Sequence, residues 1–322
     1  MQPVRPELWL GGVLALSIAA SLAIGPAGFG LPGKAPAAWL IFSEIRLPRA
    51  ILGALIGAAL GLSGAALQGY LRNPLAEPGL LGVTGGASLG AVIAIHSGAT
   101  AAFALALPLG GLIGAATSTA AVLLLAGARS GPVTLILAGV AISGLAGALT
   151  TLALNLSPNP FAAVEMVFWL LGSLNDRSLV HVWIASPLIL AGAAILLSLQ
   201  RDLDSLSLGD DVAANLGVDL SRIRLKVIAG TALAIGAATA VAGSIGFVGL
   251  VIPHLLRRFA DHAPGRLLWL SALGGACVLL LADVAVRLLS PFGDLKLGVV
   301  TALIGAPFFL WLVIKTRQEL GP

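Results

Sequence analysis

The residues able to do chemistry are few, and their spacing assembles no catalytic set. His96, His181, His254 and His262 are scattered, and the single cysteine, Cys277, lies in the apolar run Leu273–Leu281. No Cys/His cluster has zinc spacing, and one cysteine forms no internal disulfide. Cys277 reads as a small buried hydrophobe. The string Gly28-Phe-Gly30-Leu-Pro-Gly33-Lys34 imitates a dinucleotide loop and, nearly, a phosphate loop. Both loops need a strand before them and a helix start after them. Here an apolar run precedes, Pro36 follows, and Ala35 replaces the magnesium-binding hydroxyl, so nucleotide binding is not expected.

What remains is charge. Arg46-Leu-Pro-Arg49, with Glu44 just ahead, is a compact basic motif. Asp283 and Arg287 stand four apart in an apolar stretch, a spacing that lets them pair on one helix face. Proton-coupled transporters bury ionisable groups at mid-membrane. Most apolar stretches here carry none, which disfavours the alternative of a stand-alone ion-coupled secondary transporter and puts the energy source on another chain.

Composition sets the elements that must hold these residues. The chain has 322 residues, 58% hydrophobic and 10% charged, with a mean hydropathy of +1.03. Soluble domains carry roughly 25% charged residues. So few charges cannot cover a water-facing surface, which excludes a soluble enzyme, a disordered tail and a nucleic-acid binder. The net charge of +4 reads instead as a topology signal.

A membrane-spanning helix needs about 20 apolar residues. Ten runs are expected to span: 8–26, 50–71, 80–97, 103–127, 133–156, 180–199, 226–243, 246–258, 266–289 and 297–315. The eighth is short, and the third and fourth are divided only by a weak break near Pro108. The first reads as a retained span, not a cleaved signal. With the N-terminus inside, twelve of the 18 basic residues fall on the inner side, so both termini are expected in the cytoplasm. Arg46 and Arg49 then lie outside, and Arg287 lies near the outer end of the ninth span. There the arginines either snorkel to headgroups or dock acidic groups of an external partner, where a charge cluster sets orientation and association rate.

Three further patterns stand out. Gly53, Gly57 and Gly61 line one helical face, a spacing that lets helix backbones approach closely in lipid. Ile56-Gly-Ala-Ala59 with Ser63-Gly-Ala65 matches Ile235-Gly-Ala-Ala238 with Ala242-Gly-Ser244, five spans apart, as an inverted repeat would be. Asn73-Pro-Leu-Ala-Glu77-Pro78-Gly-Leu-Leu-Gly82 cannot continue a helix. Broken backbone at membrane depth is tolerated only against protein or a water-filled cavity, so this segment is a candidate gate or an ordinary tight loop.

The longest polar stretch, 201–226, holds five of the 14 acidic residues. Within it Leu208-Gly209-Asp-Asp-Val212-Ala-Ala-Asn-Leu216-Gly217-Val218 reads as a short helix, with Asp210 and Asp211 in its first turn and Gly217 at its stop. Leu208, Val212 and Leu216 share one face, which suits a groove on a partner. The chain is therefore expected to be one all-α polytopic membrane domain, 1–322, with about ten transmembrane helices and an inverted internal repeat.

Several blocks, in order and at fitting spacing, resemble the FecCD-type permeases. They are RLPRAILGALIGAALGLSGAALQGYLRNPLAEPGLLGV (46–83), LILAGVAISGL (135–145), LGDDVAANLGV (208–218), GSIGFVGLVIPHLLR (243–257), LLLADVAVRLL (279–289) and LGVVTALIGAPFFLWLVIK (297–315). These permeases are the membrane subunits of ABC importers for iron–siderophore complexes, haem and cobalamin. The resemblance implies a homodimer in the inner membrane with the path along its axis, two ATP-binding subunits beneath and a periplasmic substrate-binding protein above. It implies alternating access, no enzymatic chemistry and no cofactor on this chain, ATP and magnesium belonging to the partner, and no nucleic acid. Arg46, Arg49 and Arg287 match arginines that dock the binding protein. Leu208, Gly209, Asp210, Val212, Ala213, Leu216 and Gly217 match the coupling helix held by the ATPase. Asn73 and Leu75 match an inner gate, and Ser130-Gly131-Pro132-Val133-Thr134 stands where a second gate belongs. There Gly131 and Pro132 replace the expected small polar residues. Phe161–Leu171 is expected as a short outer helix near the cavity mouth. The motif Pro-Leu-Ala-Glu-Pro-Gly-Leu-Leu-Gly is closer to cobalamin and haem members, while an iron–siderophore cargo stays open.

Overall fold

Proline and glycine punctuate the chain where helices start and stop. The structure, a computed structural model, describes residues 6–25, 28–29, 36–127, 131–290 and 293–320. Helix α1 (Pro6–Ala23) leads into a two-residue antiparallel ladder of β1 (Ile24–Gly25) and β2 (Gly28–Phe29). Gly30, Gly33 and Lys34 of the loop-like string lie outside the described residues, as does Ser130. The short α2 (Pro36–Ile41) passes through one π-helical turn, Phe42–Arg46, into α3 (Leu47–Leu71). α3 stops where Arg72 turns left-handed at φ 48° and Pro74 follows. A 3-10 turn, Pro78–Leu81, and Gly82 at φ 74° then open α4 (Val83–His96).

The single-turn α5 (Ala99–Ala102) precedes α6 (Ala106–Ala126), and α7 (Pro132–Asn155) starts with Pro132 behind Gly131. α8 (Pro160–Leu170) is capped by Asn159, whose side chain accepts from the Ala162 N–H at 2.9 Å; it is the expected short helix. α9 (Leu179–Leu197), α10 (Gln200–Leu206) and α11 (Asp210–Asn215) follow. Asp219 caps α12 (Leu220–Ala242) by accepting from the Ser221 and Arg222 N–H groups. The chain is broken at 243–247 before α13 (Val248–Leu256), then continues through α14 (Pro264–Leu289) and α15 (Leu297–Leu320).

Among the described residues, eight helical stretches are long and apolar enough to cross a membrane: α1, Ala38–Leu71, α6, α7, α9, α12, α14 and Leu297–Lys315 of α15. The other two expected spans fall on α4, with 14 residues, and α13, with 9. Both are shorter than their apolar runs, because the 3-10 turn with Gly82 uses up the start of one and the break at 243–247 the start of the other. At 1.5 Å per residue α13 is only about 14 Å long. The break between the third and fourth runs is at 97–105, not at Pro108, which sits in the first turn of α6, where a missing N–H costs nothing. The polar stretch 201–226 likewise ends inside α12, not before it.

α3, α12 and α14 form the centre, with 78%, 72% and 72% of their most apolar windows buried. α1 packs on α14, α9 on α12 and α3, and α6 and α7 on α4. The glycine face of α3 does what its spacing implied. A Cβ on Gly57 would strike the Gly275 carbonyl of α14, and one on Gly61 the Ser271 carbonyl. Lipid offers no hydrophobic drive between helices, so this backbone contact supplies van der Waals packing instead. The two repeat copies lie on α3 and α12, which touch.

Candidate functional site

One end of the bundle holds a buried charge cluster. Arg49, in the first turn of α3, grips Asp283 of α14 with two nitrogens: Nε lies 2.9 and 3.0 Å from the carboxylate oxygens and Nη2 2.8 Å from one. Arg287, one turn further along α14, pairs with the same carboxylate at 2.9 Å. Its guanidinium also donates to the Ser21 carbonyl, the Ile24 carbonyl and the Ser21 hydroxyl at the end of α1. Asp283, Arg49 and Arg287 are 1%, 8% and 4% exposed. Arg46, in the π turn, donates to the Leu22 and Ala23 carbonyls at 3.0 and 3.2 Å. The three arginines singled out from the sequence therefore do meet, but two of them are sealed around Asp283 and only Arg46 is half-exposed. The Asp283–Arg287 pairing follows from spacing; the Arg49–Asp283 pair, 234 residues apart, does not. The only available signal was that a lone Asp in a 26-residue apolar helix must find a cation.

The opposite end carries α11. Arg49 and Arg72 flank α3, and at 1.5 Å per residue they stand about 35 Å apart. α11 is bounded as expected by Gly209 at φ 110° and Gly217 at φ 85°, conformations that favour glycine. Ala213 turns inward and is buried. Leu208, Val212 and Leu216 remain 63%, 45% and 62% exposed on one face. Asp210 binds Arg72 at 2.7 Å, which ties α11 to the end of α3.

Two breaks interrupt the helices, the first of them starting at the α11 end directly after Arg72. In the first, Asn73 Oδ1 accepts from the Leu75 N–H at 2.9 Å and sets a tight turn; Asn73 is exposed and Leu75 half-buried. Glu77 follows, in a cavity of about 110 Å³ shared with Thr84 and Ser244. Burial pushes the Glu77 carboxyl above the ordinary carboxylate range. The second break ends at Phe247, held left-handed at φ 67°, a genuine outlier for a bulky residue and a place where strain is stored. Beside it, an open groove of about 650 Å³ runs between the end of α8 and α15, walled by Leu170, Gly298, Ala302, Ala306 and Pro307. Among the described residues no charged side chain lines it. Gly131, Pro132 and Thr134 form the start of α7, with Gly131 and Thr134 exposed. Among the described residues no hydrogen bond joins them to Asn73 or Leu75; α7 instead meets the first break one turn further on, where Gly139 abuts the Leu80 carbonyl.

The comparisons with known proteins agree with this layout. The model of the FecCD transport family matches residues 9–315. The hemin transport system permease protein HmuU of Yersinia pestis is 38% identical over 98% of both chains. The vitamin B12 import system permease protein BtuC of Vibrio vulnificus is 40% identical over 85% of this chain and 83% of that one. A solved structure, described as the inward-facing conformation of a protein assigned to the metal-chelate type of ABC transporter, superimposes with a TM-score of 0.87 at 35% identity, covering 96% and 98% of the two chains. These matches, each spanning most of the chain, make it a permease subunit of an ABC importer. The chain belongs to the FecCD transport family.

Proposed function

We propose that this permease passes a bulky metal chelate, of the haem, cobalamin or iron–siderophore class, across the inner membrane by alternating access. The observation that carries this reading is the groove beside Phe247, roomy and without a charged wall. Such a wall accommodates a large, mostly apolar chelate and selects little by ion pairing, so selectivity lies with a binding protein. The names of the relatives, for hemin and vitamin B12, support the same class.

Two copies face each other across the path, with two ATP-binding subunits at the α11 end and a periplasmic binding protein at the arginine end. Both termini are cytoplasmic. Arg46 meets acidic groups of the binding protein, while Arg49 and Arg287, held by Asp283, set the shape of that surface. ATP closes the ATPase pair, α11 moves, and Asn73, Leu75 and the start of α7 with Gly131, Pro132 and Thr134 open inward. The permease needs only two packings of different stability.

The test is uptake into proteoliposomes holding the whole complex, with haem, cobalamin and a ferric siderophore supplied in turn on the binding protein. One of the three enters in proportion to ATP hydrolysed, and dissipating the proton gradient changes nothing. Uptake that collapses with the gradient, or that needs no ATP, would overturn the reading.

A further inference from the structure

One buried side chain joins the first helix break to α13. Gln68 lies one turn before the end of α3 and is 2% exposed. Its Nε2 donates to the Ala76 carbonyl in the first break and to the Leu250 carbonyl of α13, at 3.3 Å each. Its Oε1 accepts from Arg257 Nη2 at 2.8 Å. The amide can sit only this way round, because a guanidinium only donates and a carbonyl only accepts. Both donors and the acceptor of one amide thus tie the first break to α13, at Leu250 in its first turn and at Arg257 directly after its last. A buried polar group is costly to strip of its partners, so these segments shift with Gln68 as a unit or lose the bonds together.

The unit is attached at both sides. The Gln68 carbonyl accepts from the Arg72 and Asn73 N–H groups, which form the left-handed end of α3. The Arg72 side chain then holds Asp210 of α11. On the other side α13 follows directly on Phe247, whose side chain lies against Gly305 of α15, the helix that walls the groove. Contacts therefore run without a gap from the partner-facing helix to the groove.

We propose that Gln68 is a positioning residue of the transport cycle: it makes the 73–82 break and α13 move together when α11 is displaced. The inference rests on the reading of α11 as the ATPase contact. Contiguity alone does not demonstrate coupling, so the test reads coupling itself, as chelate molecules taken up per ATP hydrolysed by the complete complex in proteoliposomes. Gln68→Met removes all three bonds at similar volume; Gln68→Glu keeps the acceptor for Arg257 and loses both donations. Both variants are expected to assemble and to hydrolyse ATP, with the uptake ratio down about tenfold. Arg72→Ala lowers the ratio too, and adding Gln68→Met to it lowers it no further. A purely structural role would reduce the amount of complex, or both rates in proportion, and leave the ratio unchanged; that result overturns the proposal. Failure of both Gln68 variants to assemble overturns it as well, since Gln68 would then be a determinant of the fold. Loss of ATP-driven uptake in the native complex would instead overturn the α11 reading, and this inference with it.

Discussion

Asp283→Asn is the sharpest perturbation of the arginine end. The native carboxylate neutralises one of two buried guanidiniums and takes hydrogen bonds from both, at 2.8 to 3.0 Å. The asparagine keeps the shape but leaves two positive charges buried with no counter-charge. Removing one partner of a buried pair costs about 3–5 kcal/mol, and this carboxylate serves two partners, so the upper half of that range is expected. Arg49→Met is milder. It leaves Asp283 and Arg287 as a balanced pair, and the lost hydrogen bonds to a charged group cost about 1.5–3 kcal/mol. The order of the two variants is therefore the real test, since it depends on charge balance and not on any absolute scale. Reversible unfolding of the detergent-solubilised permease, followed by tryptophan fluorescence, measures both. If Asp283→Asn costs no more than Arg49→Met, the reasoning from charge balance is wrong.

Other outcomes follow from the same geometry. Leu216→Asp leaves the fold intact, because the side chain is 62% exposed, but costs the ATPase contact about 2 kcal/mol and weakens it about thirtyfold; native affinity in a pull-down would refute the partner face. Gly57→Ala should destabilise by about 1–3 kcal/mol, since its Cβ meets the Gly275 carbonyl and backbone cannot step aside; a gain in melting temperature would show that the helices are looser. Arg46→Glu weakens binding-protein docking and makes it fail at lower salt, and an unchanged salt profile would remove Arg46 from that surface. Glu77 holds its proton to higher pH when folded than when unfolded. Its contribution thus falls as pH rises from the ordinary carboxylate range to the raised value, and Glu77→Gln should flatten the melting temperature across that window; an identical slope in both proteins would contradict the burial.

The readable features were local ones. α11 could be placed because two glycines bound a polar stretch and its leucines recur on one face. The glycine face of α3 showed close helix contact, and Pro74 with Pro78 showed the first break. Pro108 misled because a proline in a first turn starts a helix as readily as it ends one. α4 and α13 read as longer than they are, because an apolar run does not tell where backbone leaves the helix. The cluster around Asp283 and the bonds of Gln68 stayed hidden for a different reason. A buried polar side chain must have partners, but with 182 residues between Gln68 and Leu250 only the packing of α3 against α13 says which.

The central claim, that a separate ATPase grips this chain through α11, is tested most directly by site-specific cross-linking. The single native thiol, Cys277, is buried at 3% exposure and should stay silent. Val212→Cys puts the only accessible thiol on the exposed face of α11. The account predicts a cross-link to the ATP-binding subunit in the assembled complex, with a yield that changes when ATP is bound. An assembled, ATP-hydrolysing complex in which that thiol reacts freely with solvent and never with the ATPase would contradict it.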